Sequence, residues 1–317
     1  MTNKIGILLT NIGTPADPSP ATVKKYLKKF LSDKRVVNIH PLLWQPILRG
    51  LILPLRSKKS AKLYQKIWTE EGSPLLVITQ RITEKLQNKL AETTHVALGM
   101  HYSQPSIKNA LESLRKKNCE KIIILPLYPQ HSGAATGSSF NQVMDVLKTW
   151  QKLPEVHFMN DYADHPLYIE AIANSIKQNK PTQHLLFSFH GIPLRSVNQG
   201  DPYGERCHLT AKLVAEKLQL KPNEWSIAFQ SRLGRAKWLA PYTDIVLKKL
   251  PQQGITELSV ISPGFSADCL ETLEEIAIRG KEQFMKAGGK KFNYISALND
   301  SDEQIALLFD LCHSRQP

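Results

Sequence analysis

Short apolar runs alternate along this chain with longer stretches whose apolar residues recur every three to four positions. The first pattern belongs to buried strands and the second to amphipathic helices. Strands are predicted over 4–11 (KIGILLTN), 95–99, 121–127 (KIIILPL), 155–160, 185–189, 225–230, 257–261 and 291–295. Helices are predicted over 20–31, 60–68, 74–92, 105–117, 140–150, 166–179, 203–218, 241–250 and 268–287, with a closing helix from 302. Ser19 followed by Pro20 is a helix start, a capping side chain before a residue that needs no N–H partner. Strands alternating with helices predict an α/β fold with parallel sheets.

The rhythm repeats. KIGILLTNIGTP and HLLFSFHGIP both run strand, glycine, one residue, proline. KIIILPLYPQHSG and ELSVISPGFSAD both run strand, proline, aromatic, small polar loop. Two matched halves are expected, 1–163 and 164–300, with 301–317 as a closing helix. If both halves share one fold, their strand-end loops can face a common cleft suited to a bulky ligand. Two unrelated α/β domains in a row would show the same rhythm, so the repeat alone leaves both readings open.

One stretch breaks the pattern. HPLLWQPILRGLILPLR, at 40–56, is apolar but carries three prolines and a glycine, so it is expected to be neither an ordinary helix nor a strand. Most of it is expected to pack into the core. The other reading is an exposed apolar lip flanked by Arg49, Arg56, Lys58 and Lys59, which would suit an anionic amphipathic ligand or a membrane interface.

Composition narrows the classes. With 42% hydrophobic and 22% charged residues, the chain has the balance of an ordinary globular protein. The early run at 5–9 is too short for a signal peptide, and no apolar stretch reaches the length of a membrane span. The 4 cysteines are scattered without a C-x-x-C pair, so the usual spacing of a zinc ribbon or a cysteine-ligated cluster is missing. A reduced, cytoplasmic protein is expected. The net charge of +13 is spread over helix faces, without the basic stripe and interleaved aromatics of a nucleic-acid binder. No nucleic-acid partner is expected.

Chemistry is concentrated in two stretches. In HLLFSFHGIPLRSVNQGDPYGERCH, His190 stands where a buried strand ends. Ligands of open α/β sheets bind beyond such ends. A neutral imidazole there can take a proton or ligate a metal, and Gly191 beside it lets something large approach. A histidine that merely satisfies a turn fits equally well. In SPGFSADCLETLEE, Asp268 and Glu271 have the spacing of a capping box, while Asp268, Glu271 and Glu275 share one helical face. The cap is the simpler reading. The alternative is a carboxylate row that binds a divalent cation or passes protons outward. GAATGSS at 133–139 lacks the lysine of a phosphate loop, no GxGxxG occurs, and no G-x-S-x-G elbow exists.

Several stretches together resemble one family. FSFHGIPLRSVNQGDPYGERC resembles the histidine signature of ferrochelatases, which insert ferrous iron into a porphyrin. LLTNIGTP, LYQKIWTEEGSPL, LPLYPQHSGAATGSSF, FQSRLGRAKWLAPYT and SPGFSADCLETLEEI resemble further blocks of that family, in order over almost the whole chain. The resemblance implies two similar Rossmann-like domains, each with a parallel four-stranded sheet, and a cleft between them. It implies His190 and Glu271 as catalytic and metal-contacting residues, with Asp268 and Glu275 as a proton relay behind them. It implies porphyrin-binding roles for Arg56, Lys59, Tyr64, Ser73, Tyr128 and Trp238. The stretch 40–56 matches the family's active-site lip, and peripheral contact with an anionic membrane at its inner face follows from that match. His101 stands where an arginine is expected, and Ile12 where some relatives have methionine. The carboxyl-terminal cysteines of cluster-binding relatives are missing, so no iron–sulfur cluster and no tightly bound cofactor is expected; Fe2+ is a substrate.

The expected reaction is insertion of ferrous iron into protoporphyrin IX to form protohaem, a lyase step that ends haem synthesis. A buckled macrocycle would expose its pyrrole nitrogens, and His190 would accept a proton or present the iron. The competing expectations are a chelatase that uses coproporphyrin or cobalt, and a non-catalytic carrier of haem or porphyrin.

Overall fold

The computed structural model describes residues 4–234 and 236–313. The chain forms two compact units. Among the described residues, one holds 4–127, 133–160 and 308–313; the other holds Tyr128–Ser132 and 161–307. The closing helix is Asp302–His313. The rest of the expected closing segment, 314–317, lies outside the described residues.

In the first unit, β1 (Ile5–Asn11), β2 (Thr94–Met100), β3 (Lys121–Pro126) and β4 (Glu155–Phe158) form a parallel sheet in the order β2-β1-β3-β4. Ile7, Leu8 and Leu9 in the middle of β1 are fully buried, because helices cover both faces. Such strands read as unbroken apolar runs, which made them easy to recognise. Leu8, Ile122 and Ile124 pack against Ile107, Leu111 and Leu114 of helix Ile107–Lys116. Ser19 caps helix Pro20–Ser32 as expected, its Oγ accepting the Thr22 N–H at 3.3 Å. The outer edge of β2 is covered locally by one side chain. The Gln87 amide donates to the Thr94 carbonyl at 2.9 Å and accepts the Val96 N–H at 2.8 Å.

Helix Thr136–Leu147 starts a turn before the predicted 140. Gly137, Ser138 and Ser139 are poor helix formers, but tertiary hydrogen bonds hold them. Ser138 Oγ donates to Asp33 at 2.9 Å, and Ser139 Oγ lies 3.0 Å from Thr10 Oγ1.

The stretch 40–56 departs most from expectation. It is helical from Pro41 onward: helix Pro41–Ile47, a π-helical segment Leu48–Ile52, then helix Leu53–Ile67. Pro41 sits in a first turn, where a missing N–H costs nothing, while Pro46 lies inside the same helix and Pro54 directly follows the π-helical segment. The widened segment absorbs the change of register, with the Leu53 N–H reaching back to the Leu48 carbonyl. Nor is the stretch mostly core. Leu48 and Leu53 are buried, but Leu42 is 79% exposed, Leu43 67%, Leu51 55% and Leu55 67%. One narrow stripe faces inward and the other leucines are left outside.

In the second unit, β5 (His184–His190), β6 (Trp225–Gln230), β7 (Glu257–Ile261) and β8 (Lys291–Ile295) form a parallel sheet in the order β6-β5-β7-β8. Each sheet thus places its second, first, third and fourth strands in the same sequence, so the repeat seen in the residues is a repeat of topology. Leu186, Ala228, Leu258 and Val260 pack with Leu247, Ile276 and Phe284 in the core. In this order the connections leave in opposite directions from the gap between β5 and β7. In open α/β sheets ligands bind at such a switch point, beyond the carboxyl ends of the strands.

Candidate active site

β5 delivers His190 to the switch point. In register, β7 ends with Ile261 opposite Phe187, so His190 stands beyond it and pairs with Gln230 at the end of β6. Its Nδ1 lies 2.6 Å from the Gly191 carbonyl. A carbonyl can only accept, so Nδ1 carries the proton, and Nε2 is left as the basic nitrogen. Nε2 has no partner among the described residues, and the half-buried ring packs 6.4 Å from that of Phe265.

Gly191 is needed for a close approach, but by the protein itself. A Cβ there would stand 3.0 Å from the Gln230 carbonyl oxygen and 3.3 Å from the Trp238 ring. Trp238 is held beside the histidine by backbone bonds on either side: the Leu194 N–H donates to the Lys237 carbonyl, and the Leu239 N–H to that of Ile192, each at 2.9 Å.

After β7 the chain turns through Pro263, Gly264 and Phe265. Tyr168, buried, donates to the Pro263 carbonyl at 2.6 Å. The helix that follows, Leu270–Gly280, is π-helical over its whole length. Such turns are rare and gather at functional sites. Its cap is not the expected pair. Cys269 and Thr272 form the capping box one residue on, with the Cys269 N–H donating to Thr272 Oγ1 at 2.9 Å. Asp268 is occupied elsewhere. Its Oδ1 accepts from the Tyr294 hydroxyl at 2.5 Å, the Thr272 hydroxyl at 2.8 Å and the Ala297 N–H at 3.3 Å, and its Oδ2 from Asn299 at 2.9 Å. Burial, and Asp268 beside it, push the Tyr294 hydroxyl pKa well up.

The π-geometry also changes the register of the acidic row. Hydrogen bonds close five residues back, so Glu275 still lies along the axis from Glu271, while Asp268 falls outside the helix. The Gln230 amide donates to the Glu271 carbonyl at 2.7 Å, which brings the start of this helix to the strand pair that holds His190. Burial, then the charge of Glu271 and a hydrogen bond to its side chain, push the Cys269 thiol pKa well up. Glu275 accepts from Ser231, and the buried Glu274 pairs with Arg279 at 3.2 Å. His190, Trp238, Glu271 and Glu275 thus gather around one end of one sheet. No group of three or more histidine, cysteine or acidic side chains is arranged as a metal cage among the described residues.

The remaining predicted residues are Tyr128, half-buried in the second unit, and four in the first. Arg56 is half-buried, and desolvation lowers its guanidinium pKa. Lys59 is exposed and Tyr64 buried, all three on helix Leu53–Ile67. Ser73, at the start of helix Pro74–Lys89, is buried with its Oγ 2.8 Å from Thr14 Oγ1. His101 follows β2, buried, with Nε2 2.6 Å from Ser139 Oγ. Burial holds its pKa down to about 4, against a small opposing pull from Asp33.

A family model for ferrochelatase matches residues 4–316. The chain belongs to the ferrochelatase family. A ferrochelatase of Hamiltonella defensa is 50% identical, with 98% of each chain covered. Ferrochelatase 2 of Shewanella oneidensis is 49% identical over 97% of this chain and 96% of that one, and a ferrochelatase of Marinomonas is 45% identical over 98% and 96%. Among solved structures, SirB from Bacillus subtilis with Fe3+ superposes with a TM-score of 0.61 at 13% identity, covering 98% of this chain and 95% of that one. CbiX, the terminal enzyme for biosynthesis of sirohaem in denitrifying bacteria, superposes at 0.51 and 11% identity, covering 99% and 100%. At such identities these two show a shared fold and nothing further.

Gln230 and Ser231 escaped the sequence. They lie inside the block FQSRLGRAKWLAPYT, but their importance depends on strand register, which places Gln230 beside His190. Glu274 escaped because only its neighbours fitted an α-helical face.

Proposed function

We infer that this protein inserts ferrous iron into protoporphyrin IX, forming protohaem and releasing two protons. The observation that carries the reading is the tautomer of His190, whose Nδ1–H is spent on the Gly191 carbonyl and whose Nε2 remains basic. The pyrrole N–H groups are very weak acids, so metal entry needs a bent ring and a base within reach. His190 takes a pyrrole proton or presents the iron. Glu271 meets the metal or receives the second proton, and Glu275 passes charge outward. Asp268, with both oxygens occupied, anchors the row. Trp238 and Tyr128 support the macrocycle, while Arg56, Lys59, Tyr64 and Ser73 hold substrate or its propionates. The iron is a substrate held briefly by imidazole and carboxylate, ligands that zinc and cobalt also accept.

Porphyrin reaches the protein from an anionic membrane surface, met by the exposed leucines of 42–55 with Arg49, Lys58 and Lys59 beside them. No helix among the described residues is long and apolar enough to cross a bilayer. The protein works in the cytoplasm and touches that membrane peripherally at its inner face. The deciding experiment mixes the protein anaerobically with ferrous iron and protoporphyrin and follows the absorption spectrum. Catalytic appearance of the haem bands is expected. Porphyrin binding without metallation would make the protein a carrier, and faster turnover with coproporphyrin would change the substrate.

A further inference from the structure

β6 ends at Gln230, and the chain leaves it through Ser231 with φ at +65°. A residue bearing a Cβ rarely adopts that conformation, and those that do gather where function over-determines them. Here the turn points both donors of Ser231 at one carboxylate. Its N–H donates to Glu275 Oε1 at 3.0 Å and its hydroxyl to Oε2 at 2.5 Å. One residue earlier, the Gln230 amide donates to the Glu271 carbonyl at 2.7 Å. That amide is itself fixed, its Oε1 accepting the Ser188 hydroxyl at 2.7 Å. Ser188 lies two residues before His190 on the same face of β5. Consecutive residues therefore tie two points of the π-helix, the Glu271 backbone and the Glu275 carboxylate, to the strand ends that carry the histidine. Arg279, 3.9 Å from Glu275 Oε1, offers the carboxylate another partner.

We propose that Ser231 is a positioning residue for metal insertion. It fixes the Glu275 carboxylate in register with His190, and it acts on the reaction only through Glu275. Without the hydroxyl, Glu275 keeps a single donor from this turn and can swing toward Arg279. The inference rests on the proton-relay role proposed above for Glu275.

The test is a double-mutant cycle on the full chain, with ferrous iron and protoporphyrin, measuring kcat, KM and Tm. Ser231→Ala should lower kcat about tenfold to a hundredfold, the scale of a hydrogen bond to a charged group, while KM for porphyrin stays within about twofold. Glu275→Ala should lower kcat similarly, and adding Ser231→Ala to it should change nothing further. Ser231→Gly guards against failure to fold, because glycine is at ease at positive φ. It should match or exceed the parent in Tm and still turn over slowly, an outcome a purely structural serine would not give. A normal kcat in Ser231→Ala, or a full additional loss in the Glu275→Ala background, overturns the Ser231 proposal alone. A normal kcat in Glu275→Ala overturns the relay and the Ser231 proposal together.

Discussion

At the end of β5 in the second unit, His190 keeps one ring nitrogen bound to its own backbone and the other open. Just past β2 in the first unit, His101 is sealed in, bonded to Ser139 and held neutral by burial. Both histidines sit at carboxyl ends of parallel strands in sheets of the same order. The contrast shows that the repeated scaffold supplies positions, while neighbouring side chains decide what an imidazole can do there. The contrast extends to the two π-helical segments. Leu48–Ile52 buries Leu48 and turns Leu51 outward, whereas Leu270–Gly280 carries glutamates.

The largest expected effect separates the two histidines. His190→Ala should lower kcat by roughly 10²–10⁴-fold, the range of general-base help, while porphyrin binding, read by fluorescence quenching, persists. His101→Gln should leave kcat within a few-fold. Reversal of that order would break the distinction between them.

Next comes acid stability. The folded pKa of His101 lies near 4 against an ordinary 6.5. Between those values the unfolded chain binds more protons at this position, so stability rises with pH through the window. The contribution is complete above about 6.5 and is lost as pH falls toward 4, amounting to about 3 kcal/mol. Tm measured from pH 7 to pH 4.5 should fall, and His101→Gln should fall less. Equal slopes would mean that other groups set acid stability.

The smallest effect on the folded state concerns the first π-segment and its flanks. Leu42→Ser with Leu43→Ser should change stability by about 0.5 kcal/mol or less, because both side chains are exposed. Sedimentation with anionic liposomes at low salt should nevertheless show weaker binding than the parent. Unchanged binding would remove the membrane role from these leucines.

Much of this was legible in the residues. Strands were found to within a residue or two at most ends, because two-sided burial leaves unbroken runs such as Ile122–Leu125. A strand end and a helix start drew notice to His190 and Glu271, but those local signals fitted a turn and a cap as well, and only the family resemblance gave the two residues roles. What failed was whatever broke the α-helical period. Residues 40–56 lost their helical signature to the prolines and the π-segment. Asp268 resembled a cap because its partners, Tyr294 and Asn299, lie far along the chain. The Ser231 clamp on Glu275 spans 44 positions in sequence, beyond the reach of any local pattern.

Gln87 has a consequence for behaviour at high concentration. Its amide offers β2 one donor and one acceptor, as a neighbouring backbone would, and so occupies part of a seam where another chain could dock. A single side chain thus imitates a missing strand. Shortening it would invite self-association without touching anything concerned with haem.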